Sequence, residues 1–208
     1  QIVASQSEET TESEAPLTTN PTTTPVVTLE ETQPVRSDWP TFDPSRYTPQ
    51  SVVAKKIELN LAAISRMLEI KADPTRQVTD EDRHQMLSYS GWGGAARLFE
   101  DLPNSSIHTQ QTMLRSMVSE HEFTQARASV TSAYYTDTVV IKSIWKMIQH
   151  LGFSGGRIIE PAAGTGLFIA NMPKEIAMKS EITCIEPDPL SASILETVFS
   201  GLGVHVHN

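Results

Sequence analysis

Apolar positions in the first two thirds of the chain recur at helical spacing, whereas in the last third they run continuously. Val53, Ile57, Leu61, Ile64 and Leu68 share one face of a helix predicted over 51–72. Asp73-Pro74 ends it, because the residue before a proline is driven out of the α region. Thr79, with Asp82 three residues on, is the cap of a second helix, and its acid makes an imperfect capping box. A short helix is expected over 109–118. Ser119 with Glu122 then repeats the box ahead of a helix reaching about Ser132. Asp137 to Leu151 reads as a further helix whose stripe Val140, Ile144, Met147, Ile148 and Leu151 is expected to face the core, with Gly152 as its stop. The period then changes. Residues 157–160 and 181–186 are apolar runs ending in an acid, and Val204 to His207 opens a third run. Between them lie a short helix over 167–171 and a helix from Asp188-Pro189, a cap followed by an N1 proline, to about Phe199. Strands alternating with helices predict an α/β fold with a parallel sheet and right-handed crossovers.

Composition divides the chain. Residues 1–35 are Thr, Ser, Pro and Glu with few large apolar side chains, too little to offset the entropy of ordering, and the expectation is a disordered tail or linker. Its six acids take the net charge of the remainder from −9 to −3, so the acidity says little about the folded part. Residues 45–132 read as a helical lobe packed on residues 133–208, the sheet part. At 208 residues there is room for one domain and a smaller companion. The single cysteine, Cys184, falls in a strand, which excludes a disulfide framework and points to a reducing cytoplasm and an inert buried thiol. No apolar run has membrane length. The chain opens on Gln1 and stops at Asn208 just into the third strand, and the expectation is a fragment of a longer protein.

Candidate chemistry gathers at Glu160-Pro161-Ala162-Ala163-Gly164-Thr165-Gly166-Leu167-Phe168. An acid at the carboxyl end of a strand, followed by small residues and glycines, is the layout of a nucleotide-cofactor loop in a doubly wound sheet. Gly164 and Gly166 carry no Cβ and so let the backbone approach a ligand. Ile169 stands where a dinucleotide fingerprint has its third glycine, and no phosphate-cradling G-x-x-x-x-G-K-[ST] occurs. A ligand without a pyrophosphate is therefore favoured, and S-adenosylmethionine fits: it has a sulfonium, an amino-acid end and a ribose. Glu186 ends the second strand about 20 residues past the glycines, where a carboxylate accepts from ribose hydroxyls. As a strand-end acid it is expected to be partly solvated.

This loop resembles the cofactor motif of amino-group DNA methyltransferases, specifically the N6-adenine enzymes, which have an acid, Pro, two small residues, Gly-x-Gly and often an aromatic. Tyr134-Tyr135-Thr136 resembles the family's preceding motif, with Asp137 where the family usually has Pro. The resemblance implies that Tyr135 and Thr136 contact the methionine end of the cofactor. It extends the cofactor site over Glu160, Pro161, Ala162, Gly164, Thr165, Gly166, Phe168 and Glu186. Over residues 45–208, the segments Tyr89-Ser90-Gly91-Trp92-Gly93-Gly94, Ala126-Arg127-Ala128-Ser129 and Gly152-Phe153-Ser154-Gly155-Gly156 resemble the front part of large methylase–helicase proteins of phages, plasmids and integrative elements, an antirestriction type among them. That implies a partial Rossmann-like methyltransferase sheet, first strands only. It also implies DNA as partner and a helicase/methylase part downstream in the same polypeptide.

The family's catalytic Asn-Pro-Pro-Tyr is absent: the chain contains no Pro-Pro, and Asn20-Pro21 and Asp43-Pro44 match by accident. The expectation is a cofactor-binding part with no catalytic residues of its own. The alternatives are a non-catalytic methyltransferase-like interaction module, or part of an RNA or protein methyltransferase. The Gly91-Trp92-Gly93-Gly94 loop holds one large ring on a tight turn, either as a plug between helices or as a ring beside the cofactor or a flipped base. His205 and His207 share a strand face, too few ligands for a metal site.

Overall fold

The computed structural model describes residues 38–43, 46, 50–101 and 105–208. The tail expected over 1–35 lies outside the described residues. From Thr32 onward the chain forms one compact unit, with helices first and a small three-stranded parallel sheet after them. It is a mixed helix and strand fold compatible with the α/β class.

Helix α1 (Val53–Ala72) buries Ile57, Asn60, Leu61, Ala63, Ile64, Met67 and Ile70. Val53 and Leu68, the ends of the expected stripe, sit at its exposed margin. Helix α2 (Asp80–Leu87) starts in a complete capping box: Thr79 Oγ1 accepts from the Asp82 amide, and the Asp82 carboxylate accepts from the Thr79 amide. A 3-10 turn at Ala96–Phe99 leads to α3 (Ser106–Met117) and α4 (Glu120–Ala128), and the Ser119–Glu122 box at the start of α4 is complete as well.

Helix α5 (Thr138–His150) corrects the expected stripe. Val140, Met147 and Leu151 are exposed, Leu151 at 77%, and the inward residues are Ile141 and Trp145, with Ile148 partly buried. Residues 140, 144, 147 and 151 and residues 141, 145 and 148 are two overlapping apolar rows, and helical periodicity alone does not choose between them. The choice is made by Trp145, whose indole N–H donates to the Phe168 carbonyl at 2.9 Å.

Strand β1 (Gly156–Pro161) is followed by two single-turn helices, α6 (Leu167–Ala170) and α7 (Lys174–Ala177), and then by β2 (Ser180–Ile185). Helix α8 (Pro189–Val198) crosses to β3 (Val204–His207). The order is β1-β2-β3 with both pairs parallel, and Glu160 stands opposite Cys184 in the register. Helix α8 joins the halves. Leu190, Ile194, Leu195, Val198 and Phe199 are buried, and the helix contacts α1, α2 and α4 on one side and β3 on the other. The buried Arg83 guanidinium of α2 donates to the carbonyls of Val198 and Ser200, and so takes up acceptors left at the end of α8.

Burial alternates along the strands, so one sheet face is covered and the other carries Arg157, Ile159, Glu181, Ile185, His205 and His207. Ile159 is 66% exposed. Among the described residues no helix is long and apolar enough to cross a membrane.

Candidate functional site

A cavity of about 240 Å³ opens at the carboxyl ends of β1 and β2, the end at which open α/β sheets take ligands. Its floor is the turn after β1. Ala162 and Gly164 there adopt left-handed backbone conformations, φ 58° and 57°, and the turn is clipped to β2 by the Ala163 amide donating to the Ile185 carbonyl at 3.0 Å. A non-glycine residue in that region carries a strain of about 1–3 kcal/mol. Ala162 holds it at the cavity wall.

The acid at the end of β2 locks this turn. Glu186 Oε2 accepts from the Gly164 amide at 2.6 Å and Oε1 accepts from the Asp188 amide at 2.9 Å. Glu186 is 7% exposed, which corrects the expectation of a partly solvated strand end. The reason is geometric: the chain turns into α8 just beyond β2, and the carboxylate bridges that turn to the glycine loop. Asp188 caps α8, its Oδ2 accepting from the Ser191 amide at 2.9 Å and from Ser191 Oγ at 2.6 Å. Ser191 Oγ, having donated that proton, accepts from the Tyr135 hydroxyl at 3.2 Å. Burial pushes the Tyr135 phenol well above its ordinary range, so the ring is a neutral donor.

Glu160 stands differently. It is half-buried, lines the cavity, and makes no hydrogen bond or ion pair with any described residue. Burial raises its pKa. Its register partner Cys184 is fully buried and its thiol is pushed up to about 12, by burial first and by the Glu160 charge second.

Seven of the ten residues expected at the site line this cavity: Tyr135, Thr136, Glu160, Ala162, Gly164, Phe168 and Glu186. Pro161, Thr165 and Gly166 do not. Pro161 lies on the uncovered sheet face, and the Thr165 side chain is fully buried beneath the turn. Gly166, at φ 88°, abuts α8: a Cβ there would lie 2.4 Å from Phe199 and 2.6 Å from Leu195. Its lack of a side chain serves helix packing and not approach to a ligand. A Cβ on Gly164 would lie 3.0 Å from the Tyr135 ring, so this glycine seats that ring against the turn.

The opposite wall is lined by Tyr89, Gly91, Ser129, Ser132, Ala133 and Tyr134, of which Gly91 belongs to the glycine-tryptophan loop and Tyr134 to the tyrosine motif, while Ser129, Ser132 and Ala133 were not among the expected site residues. The glycine-tryptophan loop is a plug. Trp92 is fully buried and meets Tyr89 and Phe99 edge-on. Its glycines admit the segment before α5, since a Cβ on Gly93 would sit 2.4 Å from the Ala133 carbonyl and one on Gly91 2.8 Å from Tyr135. Asn60, fully buried, holds the loop by donating to the Gly91 carbonyl at 2.7 Å and accepting from the Ser90 amide at 2.9 Å. In the sequence this wall was signalled by two separate features, the glycines around Trp92 and the Tyr134-Tyr135 pair.

Among the described residues the cavity thus presents three carboxylates (Glu160, Glu186, Asp188) and four aromatic rings (Tyr89, Tyr134, Tyr135, Phe168), and none of its lining is Lys, Arg or His. Tyr134 stands at the mouth, 76% exposed. Such a wall attracts an organic cation, through the carboxylates and the negative ring faces, and repels phosphate. Among the described residues no group of three or more His, Cys, Asp or Glu is placed to hold a metal. No protein-family model matches the chain, and no curated protein or solved structure matches it either.

Proposed function

We propose that the cavity binds S-adenosylmethionine, that the sheet is the first part of a Rossmann-like methyltransferase fold, and that the chain is the cofactor-binding part of a DNA adenine N6-methyltransferase. The observation that carries this reading is the lining of the cavity: among the described residues, three acids and four rings with no cation, at the carboxyl ends of two parallel strands. The lining suits a cationic nucleoside and disfavours a dinucleotide, whose pyrophosphate would face three carboxylates. On this reading Glu186 accepts from the ribose hydroxyls with the lone pairs that Gly164 and Asp188 leave free. Thr136 and Tyr135 face the methionine end, and the rings of Tyr89 and Phe168 shape the apolar part of the wall. When bound, the cofactor supplies an electrophilic methyl group. No Asn-Pro-Pro-Tyr is present to hold a target amine, so DNA as substrate, and a downstream methylase/helicase part to engage it, rest on the resemblance of the motifs.

Calorimetry of residues 36–208 with S-adenosylmethionine, S-adenosylhomocysteine and NAD tests the assignment. Binding of the adenosyl ligands without NAD is expected, and a preference for NAD overturns it. With tritiated cofactor and mixed-sequence DNA this chain alone is expected to give background counts. A second reading, a non-catalytic interaction module, draws support from the exposed apolar row Val140, Met147 and Leu151 on α5.

A further inference from the structure

The three acids of the cavity are not equivalent. Glu186 spends one lone pair of each oxygen on a backbone amide, and Asp188 accepts both an amide and a hydroxyl at the start of α8. Oriented N–H groups of this kind offset much of a carboxylate's charge. Glu160 has no such partner: its side chain lines the cavity with neither a donor nor a cation bonded to it among the described residues, and its register neighbour on β2 is the buried Cys184. An ionised group held half out of water without compensation is costly, and a ligand cation is what relieves that cost.

We infer that Glu160 is the specificity-determining residue of the cavity, the group that favours a positively charged ligand over a neutral one of the same shape. This rests on the cofactor reading and deepens it: the site holds S-adenosylmethionine, with its sulfonium, in preference to S-adenosylhomocysteine, its neutral thioether counterpart. The same charge favours release of the demethylated product, since the positive centre disappears when the methyl group leaves.

The test needs no turnover. Dissociation constants for S-adenosylmethionine, S-adenosylhomocysteine and sinefungin, which carries an ammonium at the sulfonium position, are measured by calorimetry on the whole chain at two salt concentrations. S-adenosylmethionine and sinefungin are expected to bind about tenfold or more tightly than S-adenosylhomocysteine, with a gap that narrows as salt is raised. In Glu160→Gln, checked for folding by circular dichroism, the three ligands are expected to converge. Equal binding of the charged and neutral ligands by the parent chain overturns the inference while leaving the cofactor reading intact. A charge preference that survives in folded Glu160→Gln removes the role from Glu160. Failure of all three ligands to bind overturns the cofactor reading, and this inference with it.

Discussion

Glu186→Gln separates what this carboxylate does for the fold from what it does for a ligand. Each of its oxygens accepts a backbone amide, Gly164 at 2.6 Å and Asp188 at 2.9 Å, and the side chain is 7% exposed. A glutamine offers one oxygen and one NH₂ group in the same place. Whichever way the amide is turned, one backbone N–H loses its acceptor and faces a second donor. Loss of one charge-assisted hydrogen bond at a buried site costs about 1.5–3 kcal/mol. For a domain of this size that is a fall in Tm of about 3–12 °C. If the remaining lone pairs hold the ribose hydroxyls, affinity for S-adenosylmethionine falls as well, by about one to two decades. Urea unfolding reads the first effect and calorimetry the second. Glu196→Gln is the control: its carboxylate is 52% exposed and 3.7 Å from Lys71, an ion pair worth about 0.5 kcal/mol or less. A Glu186→Gln protein with the urea midpoint of the parent refutes the locking of the glycine turn. One that is destabilised yet binds with the parent's affinity refutes only the ribose contact.

Two further outcomes follow from the same geometry. Gly166→Ala is expected to cost about 3 kcal/mol or more, because a positive φ is combined with a Cβ 2.4 Å from Phe199, whereas Gly201→Ala, at φ 75° with open space around it, is expected to cost about 1 kcal/mol; equal urea midpoints for the two would refute the packing role of Gly166. Glu160→Gln is expected to raise Tm at pH 7.5, with a gain that fades toward pH 4. The sign follows from burial holding the Glu160 pKa above its ordinary value: the native state keeps this proton longer than the unfolded chain, so parent stability falls as pH rises from the unfolded value through the folded one. Melting curves of the two proteins at pH 4, 5.5 and 7.5 read the difference, and across that window Tyr89, Tyr135 and Cys184, all pushed up by burial, stay neutral. A variant whose gain is the same at every pH refutes the argument.

Local signals placed the elements well, because they act through neighbours in the chain. The capping boxes at Thr79 and Ser119 and the Asp188-Pro189 start each concern groups three or four residues apart, and all three stand where the sequence put them. The alternation of runs and helices after residue 150 was enough for a parallel sheet, and two acids at strand ends were enough to locate the cavity between them. Which row of an amphipathic helix turns inward was not legible: α5 has two apolar rows, and only the contact of Trp145 with Phe168, 23 residues on, selects one. The role of a glycine was equally hidden. Gly164 and Gly166 look alike in the chain, but one seats the Tyr135 ring and the other admits α8, because distant residues decide what a missing Cβ makes room for. The accessibility of Glu186 was misjudged for the same reason, since nothing near it in sequence shows that its oxygens reach Gly164. The sequence by itself determined the elements, their order and the residue types available for binding. The tertiary structure alone decided burial, the second wall of the cavity and which carboxylate is left without a partner among the described residues, because those depend on pairings between segments that no short-range pattern encodes.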